Sequence, residues 1–187
     1  MKLLKRILLG LFVLIAIILT VAAFRPGHFR VERSATLAAS PDALFAYVNN
    51  HRKFNEWNPF MKLDPNAKNT YSGPESGVGS VCSWEGEKAG AGSATITESK
   101  PGELVRLRMD WLKPISGTST VDFTFKPVGD QTTVTWAMYG EQGYAGKLMS
   151  LFMDCESMCG PQFEQGLADL GKIAAASPAP LSTQASQ

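Results

Sequence analysis

Apolar and polar positions follow three rhythms along this chain. The first is unbroken. From Ile7 to Phe24 no charged residue occurs. A helix over that run spans roughly 27 Å at about 1.5 Å per residue, close to a bilayer core of about 30 Å. No polar face interrupts it, so a core helix of a soluble protein does not fit. A retained anchor and a cleaved secretory signal remain as readings. A signal has a shorter apolar region, roughly 7–15 residues. Val21-Ala22-Ala23 is only a fair cleavage site ahead of bulky Phe24. Length favours the anchor.

The second rhythm has period two. Phe29, Val31, Arg33, Ala35 and Leu37 alternate with Arg30, Glu32, Ser34 and Thr36 and predict a first strand. Ser40-Pro41 supplies a cap and a first-turn proline for a short helix over Pro41–Val48, with Leu44, Phe45 and Val48 on its apolar face. A second short helix is expected over His51–Trp57, ended by Pro59. Strands and turns then dominate from Tyr71 to Tyr139. Val81–Glu87, Ser93–Lys100, Glu103–Leu112, Thr118–Lys126 and Thr132–Tyr139 read as strands, with Pro101-Gly102 and Gly129-Asp130 as turns. Val105, Leu107, Met109 and Trp111 share one face. So do Val121, Phe123 and Phe125, and again Val134, Trp136 and Met138. One apolar face per strand predicts an antiparallel meander covered on one side.

The third rhythm is helical. Leu148, Phe152, Cys155, Cys159, Phe163, Leu167 and Leu170 recur at spacings of three and four, predicting one long helix over Lys147–Ala176, kinked near Gly160-Pro161. Ser177 to Gln187 is short, polar and proline-containing, and is expected to be a disordered tail. The chain thus divides into 1–26, a basic start with a transmembrane anchor; 27–176, one α+β domain; and the tail 177–187.

Composition narrows the function classes. The 187 residues are 44% hydrophobic and 19% charged, ordinary for one globular domain. Net charge is +1, and no Lys/Arg-rich run follows residue 33, so nucleic acid is not an expected partner. Lys2, Lys5 and Arg6 precede the apolar run, whereas Arg25, Arg30 and Arg33 follow it. The positive-inside rule is nearly balanced. The N-terminal cluster tips it toward a single-pass protein of a bacterial inner membrane with an extracytoplasmic domain.

Several stretches carry a family resemblance: VERSATLAASPDALFAYV, WNPF, DPNAKNTYSGPESGVGSVCSWEG, VTWAMYG and LMSLFMD followed by FEQGLADL. None is a catalytic signature. In their order and spacing, over Phe29 to about Lys172, the chain resembles the START-like (SRPBCC) superfamily, in particular its bacterial polyketide cyclase/dehydrase and lipid-transport group. The resemblance implies a helix-grip fold, with a hydrophobic cavity between a curved sheet and the long helix. It also implies lipids, sterols or polyketide-like ligands, with only some members enzymes. One departure is the Cys155–Cys159 pair, where similar proteins more often carry a lysine and a glycine or hydrophobic residue.

Candidate chemistry follows from that cavity. Trp84, Met109, Trp111, Phe123, Phe125, Trp136 and Met138 on strands, and Met149, Phe152 and Met153 on the helix, are the expected lining. Each also fits simple core packing. A cyclase would need a cavity acid or base. Asp154 is the catalytic candidate, with Glu156, Glu85, Asp110 and His51 behind it. Glu85 and Asp110 alternate away from the apolar face. No Ser–His–acid set, metal-ligand quartet or phosphate-cradling glycine motif occurs, so no cofactor and no metal is expected. Cys82, Cys155 and Cys159 fit buried thiols. Cys82 bonded to one of the pair is the alternative if the domain lies outside the cytoplasm. The expectation is a membrane-anchored binder of a lipid or other hydrophobic small molecule, and more a carrier than an enzyme. A cyclase/dehydrase-like enzyme and a ligand-free interaction or stress-response domain are the alternatives.

Overall fold

Local signals set the element boundaries. In a computed structural model that describes residues 2–152 and 155–176, helix α1 runs Lys2–Phe24 and strand β1 runs His28–Leu37. The Ser40 hydroxyl accepts the Ala43 N–H and starts α2, Pro41–Val48. Asn50 caps α3, His51–Trp57, by accepting the Arg52 and Lys53 N–H groups. Asn58 then caps a further turn, α4, Pro59–Leu63. Pro59 was expected only to stop a helix. It also occupies the first position of the next, where no N–H is needed.

The sheet has seven antiparallel strands: β1, β2 (Lys68–Ser72), β3 (Val81–Gly86), β4 (Gly90–Lys100), β5 (Leu104–Lys113), β6 (Gly117–Val128) and β7 (Gln131–Glu141). Their spatial order is β1-β7-β6-β5-β4-β3-β2. Consecutive strands from β2 to β7 form a meander, and β1 returns to pair with β7. Every expected strand is present. Only β2 escaped the period-two pattern, because it is a short edge strand with no fully buried side chain.

The expected C-terminal helix is two helices. α5 covers Tyr144–Met149 and α6 covers Cys155–Ala176. The break falls before Cys155, not at the proline: α6 runs on through Pro161. Proline removes a single helical bond near the N-terminal end, while Phe163, Gly166, Leu167 and Leu170 bury the face that follows. α6 lies along β1 and reaches β7 and α2 to α4. A curved antiparallel sheet holding a C-terminal helix is the helix-grip arrangement of an α+β protein. The expected tail, Ser177 to Gln187, lies outside the described residues.

Candidate functional site: a half-open aromatic patch

The inner face of the sheet has two zones. Under α6 it is filled. Trp136 and Phe163 stack with ring centroids 4.1 Å apart, and Trp57 packs edge-on to both Trp136 and Phe123. Trp57, Phe123 and Phe163 are essentially inaccessible, and Phe125, Trp136 and Met138 are buried with them. Gly166 sets the spacing: a Cβ there would come within 2.7 Å of the Trp136 ring. The family resemblance implies Phe123, Phe125, Trp136 and Met138 as cavity lining; here they are buried in a packed core. Among the described residues one buried side-chain polar atom is left over: the Trp136 indole N–H has no hydrogen-bond partner.

The second zone lies at the end of the sheet that adjoins α1. The register aligns Phe29, Gly140, Ser119, Met109, Ala94 and Cys82 along one row across the strands, except that Ser119 and Gly140 are aligned through their neighbours Thr120 and Tyr139. On that row or one step beyond it, Trp84, Met109 and Trp111 point to the inner face and are only half-buried. Trp84 and Trp111 meet edge-to-face with centroids 5.5 Å apart. Gly92 supplies the floor: a Cβ there would come within 2.6 Å of the Trp84 ring. The indole N–H groups turn to the rim, Trp84 donating to the Ala89 carbonyl at 3.2 Å and Trp111 to the Ser119 hydroxyl at 3.0 Å. Half-buried Phe29, Cys155 and Cys159 also pack against the core from β1 and α6. The result is a half-open apolar patch whose two indole N–H groups already have partners.

Of the expected helix contributors, Met149 is 38% exposed and Phe152 is 72% exposed. They lie in α5 and the turn after it, and α5 packs on α1. Met153 and Asp154 lie outside the described residues.

The acids and bases are engaged elsewhere. Glu156 pairs with Arg33 at 2.6 Å, and Glu164 holds the same guanidinium. Glu85 pairs with Lys113, and Asp110 with Arg108, both away from the inner face as expected. His51 is buried and donates from Nε2 to the Ser80 carbonyl at 3.3 Å; burial holds its pKa below the ordinary value. A recess of about 290 Å³ opens beside it, lined by Arg52, Tyr71, Glu75 and neighbouring residues, with Arg52 over the Tyr71 ring. A smaller one, about 190 Å³, lies where Arg25, His28 and Phe29 face Cys155 and Glu156. Cys82, Cys155 and Cys159 are not joined by a disulfide. Burial pushes the Cys159 thiol up to about 11, so it is a poor nucleophile. Among the described residues no group of three or more His, Cys, Asp or Glu is placed to hold a metal ion.

A family model described as polyketide cyclase / dehydrase and lipid transport matches residues 28–174. The chain belongs to that family. The match begins at β1 and ends inside α6, so it takes in both zones of the inner face and leaves out α1. Solved structures share the fold. A protein from Mesorhizobium loti, MLL2253, superposes with a TM-score of 0.60 at 14% identity over 81% of this chain and 100% of its own. CV1439 from Chromobacterium violaceum gives 0.58 at 16% identity over 82% and 100%. The Aha1 dimer from Colwellia psychrerythraea gives 0.58 at 16% over 81% and 99%. At these identities they show the fold alone. Among curated proteins none matches.

Proposed function

We propose that this protein is a membrane-anchored binding domain for a lipid or another apolar or amphipathic small molecule, held on the half-open patch of Trp84, Met109 and Trp111. One observation carries the reading. Large aromatic side chains stay half-open on the inner face, at the end nearest the apolar helix, while the rest of that face is closed. An apolar wall with few, satisfied polar groups suits a lipid chain or ring system. Family membership supports the same class of ligand.

Anchoring rests on α1. Leu3–Phe24 is 22 residues long with a mean hydropathy of 3.1, enough to cross a membrane. Its side chains are almost all exposed, as a helix facing lipid requires. A tether holds the patch beside its lipid source and raises the effective concentration. The extracytoplasmic side of a bacterial inner membrane is the assignment that the N-terminal cations favour.

The filled layer around Trp136 and Phe163 supports a second reading, an interaction domain with no ligand. Native mass spectrometry with lipid extraction, on the full chain purified from its host membrane, separates the two. A reproducible co-purifying lipid or apolar metabolite is expected. A consistently empty protein that also fails to bind a fluorescent fatty acid would overturn the carrier reading and favour the interaction domain.

A further inference from the structure

We propose that α5 and the turn after it are a second membrane contact, lying in the interfacial layer of the same bilayer that α1 enters and fixing the open end of the domain against the lipid. The inference rests on reading α1 as the anchor.

Three observations lead to it. The first is depth. The Tyr144 hydroxyl donates to the Leu19 carbonyl at 2.8 Å. Leu19 lies more than one turn inside α1, about 7 Å before Phe24 at about 1.5 Å per residue. The candidate span of 22 residues is only slightly longer than the ~20 residues that a core of about 30 Å requires. The helix therefore cannot slide outward by a full turn without pulling apolar surface into water. Leu19 thus lies about 4–7 Å inside the hydrocarbon boundary, and Tyr144 reaches that depth with it, within the roughly 5–10 Å to which interfacial helices bury their apolar face. Ala22, fully buried, marks the face of α1 on which α5 packs.

The second is composition. No residue of α5 is fully buried. Tyr144 is 48% exposed, Met149 38% and Phe152 72%. A short helix with large groups open to solvent and no core of its own gains little from the domain. In an interfacial layer the same groups leave water. Tyrosine and lysine are residues that interfaces favour, an apolar body with a polar tip, and Lys147 lies beside Gly27 at the helix exit. Leu112 and Ile115, at the β5–β6 tip, are exposed at the same end of the sheet.

The third is stiffness. The link between α1 and β1 is tied to the link between β7 and α5. The Gln142 N–H donates to the Gly27 carbonyl at 2.8 Å, and its side chain donates to the Pro26 carbonyl at 3.2 Å. These two bonds clamp the domain to the end of α1 at this joint. The patch then opens toward the headgroup layer, and an apolar ligand can pass between bilayer and patch without crossing bulk water.

The test places a benzophenone amino acid, one site at a time, at Leu11, Met149, Phe152 or Val128 of the full chain. Each protein is reconstituted in phosphatidylcholine–phosphatidylglycerol vesicles, illuminated and analysed for phospholipid adducts. Adduct yields at Met149 and Phe152 are expected within about threefold of Leu11 and roughly tenfold above Val128, which sits at the opposite end of the sheet. Strong labelling at Leu11 with Met149 and Phe152 no higher than Val128 would overturn the second contact and leave the anchor standing. No labelling at Leu11 would overturn the anchor, and this inference with it.

Discussion

At the scale of single residues, two buried ionisable groups set how the domain responds to acid. Asp169 on α6 accepts hydrogen bonds from Lys172 at 2.8 Å and from Lys62 of α4 at 2.5 Å, with Gln165 as a further donor. These partners, Lys172 first, hold its pKa well below the usual carboxylate range. A carboxylate lowered by folding stabilises the native state above its unfolded value, about 3.9, and the contribution is lost as pH falls below it. His51 acts at higher pH. Burial lowers its folded pKa, so the unfolded chain takes up a proton first, near pH 6.5, and stability declines as pH falls through that value. Urea midpoints should therefore drop between pH 7 and pH 5 in the natural protein and stay flat over that window in His51→Gln. Asp169→Asn should cost about 1–2 kcal/mol at pH 7, since both lysines are solvent-exposed and screened, and should lose less on acidification below pH 4. An unchanged urea midpoint in Asp169→Asn would show that the α4–α6 clasp contributes nothing.

At the scale of elements, what was legible depended on how regular the burial is. β5, β6 and β7 alternate cleanly, so their inner residues could be read from spacing alone: Val105 and Leu107, Val121 and Phe123, Val134 and Trp136 are all buried. β2 has no buried residue to produce a pattern, and α4 is shorter than one helical repeat of apolar residues. The split between α5 and α6 was hidden for another reason. Leu148, Phe152 and Cys155 keep helical spacing across the break, but α5 packs on α1 and α6 packs on β1. Periodicity records which residues are apolar, not which partner they meet. The same limit applies to the site. Trp84, Met109 and Trp111 were named with Phe123 and Trp136, and nothing in the alternation separates half-open from closed. That difference comes from where α6 crosses the sheet. Its closeness depends on Gly166. Gly166→Ala should wedge a methyl against Trp136 and Pro59 and cost about 1–3 kcal/mol, and Phe163→Ala should cost about 3–5 kcal/mol by opening a cavity. Thermal or urea unfolding checks both. A neutral Gly166→Ala would mean that the helix sits less tightly on the sheet than described.

At the scale of the whole molecule, two apolar systems meet at one end. α1 carries the apolar surface, and the half-open aromatic patch lies on the inner face of the sheet, toward the end at which β1 follows α1. The outer face is closed by ionic contacts. Arg106 makes a double hydrogen bond to Asp122 at 2.7 and 2.9 Å and reaches Glu98 at 2.7 Å, while the Tyr139 hydroxyl donates to Asp122. Polar ladders outside, a packed layer under α6 and an open patch at the α1 end give the domain a surface suited to an apolar ligand. The central claim is that the ligand sits on that patch. The most direct measurement uses the four native tryptophans. The full chain in lipid nanodiscs is titrated with a brominated fatty acid, which quenches nearby indoles, and compared with a variant carrying Trp84→Phe and Trp111→Phe. Saturable quenching in the natural protein, absent from the variant whose Trp57 and Trp136 lie in the closed core, is the predicted result. No saturable quenching in the natural protein, or quenching that persists undiminished in the variant, would contradict it.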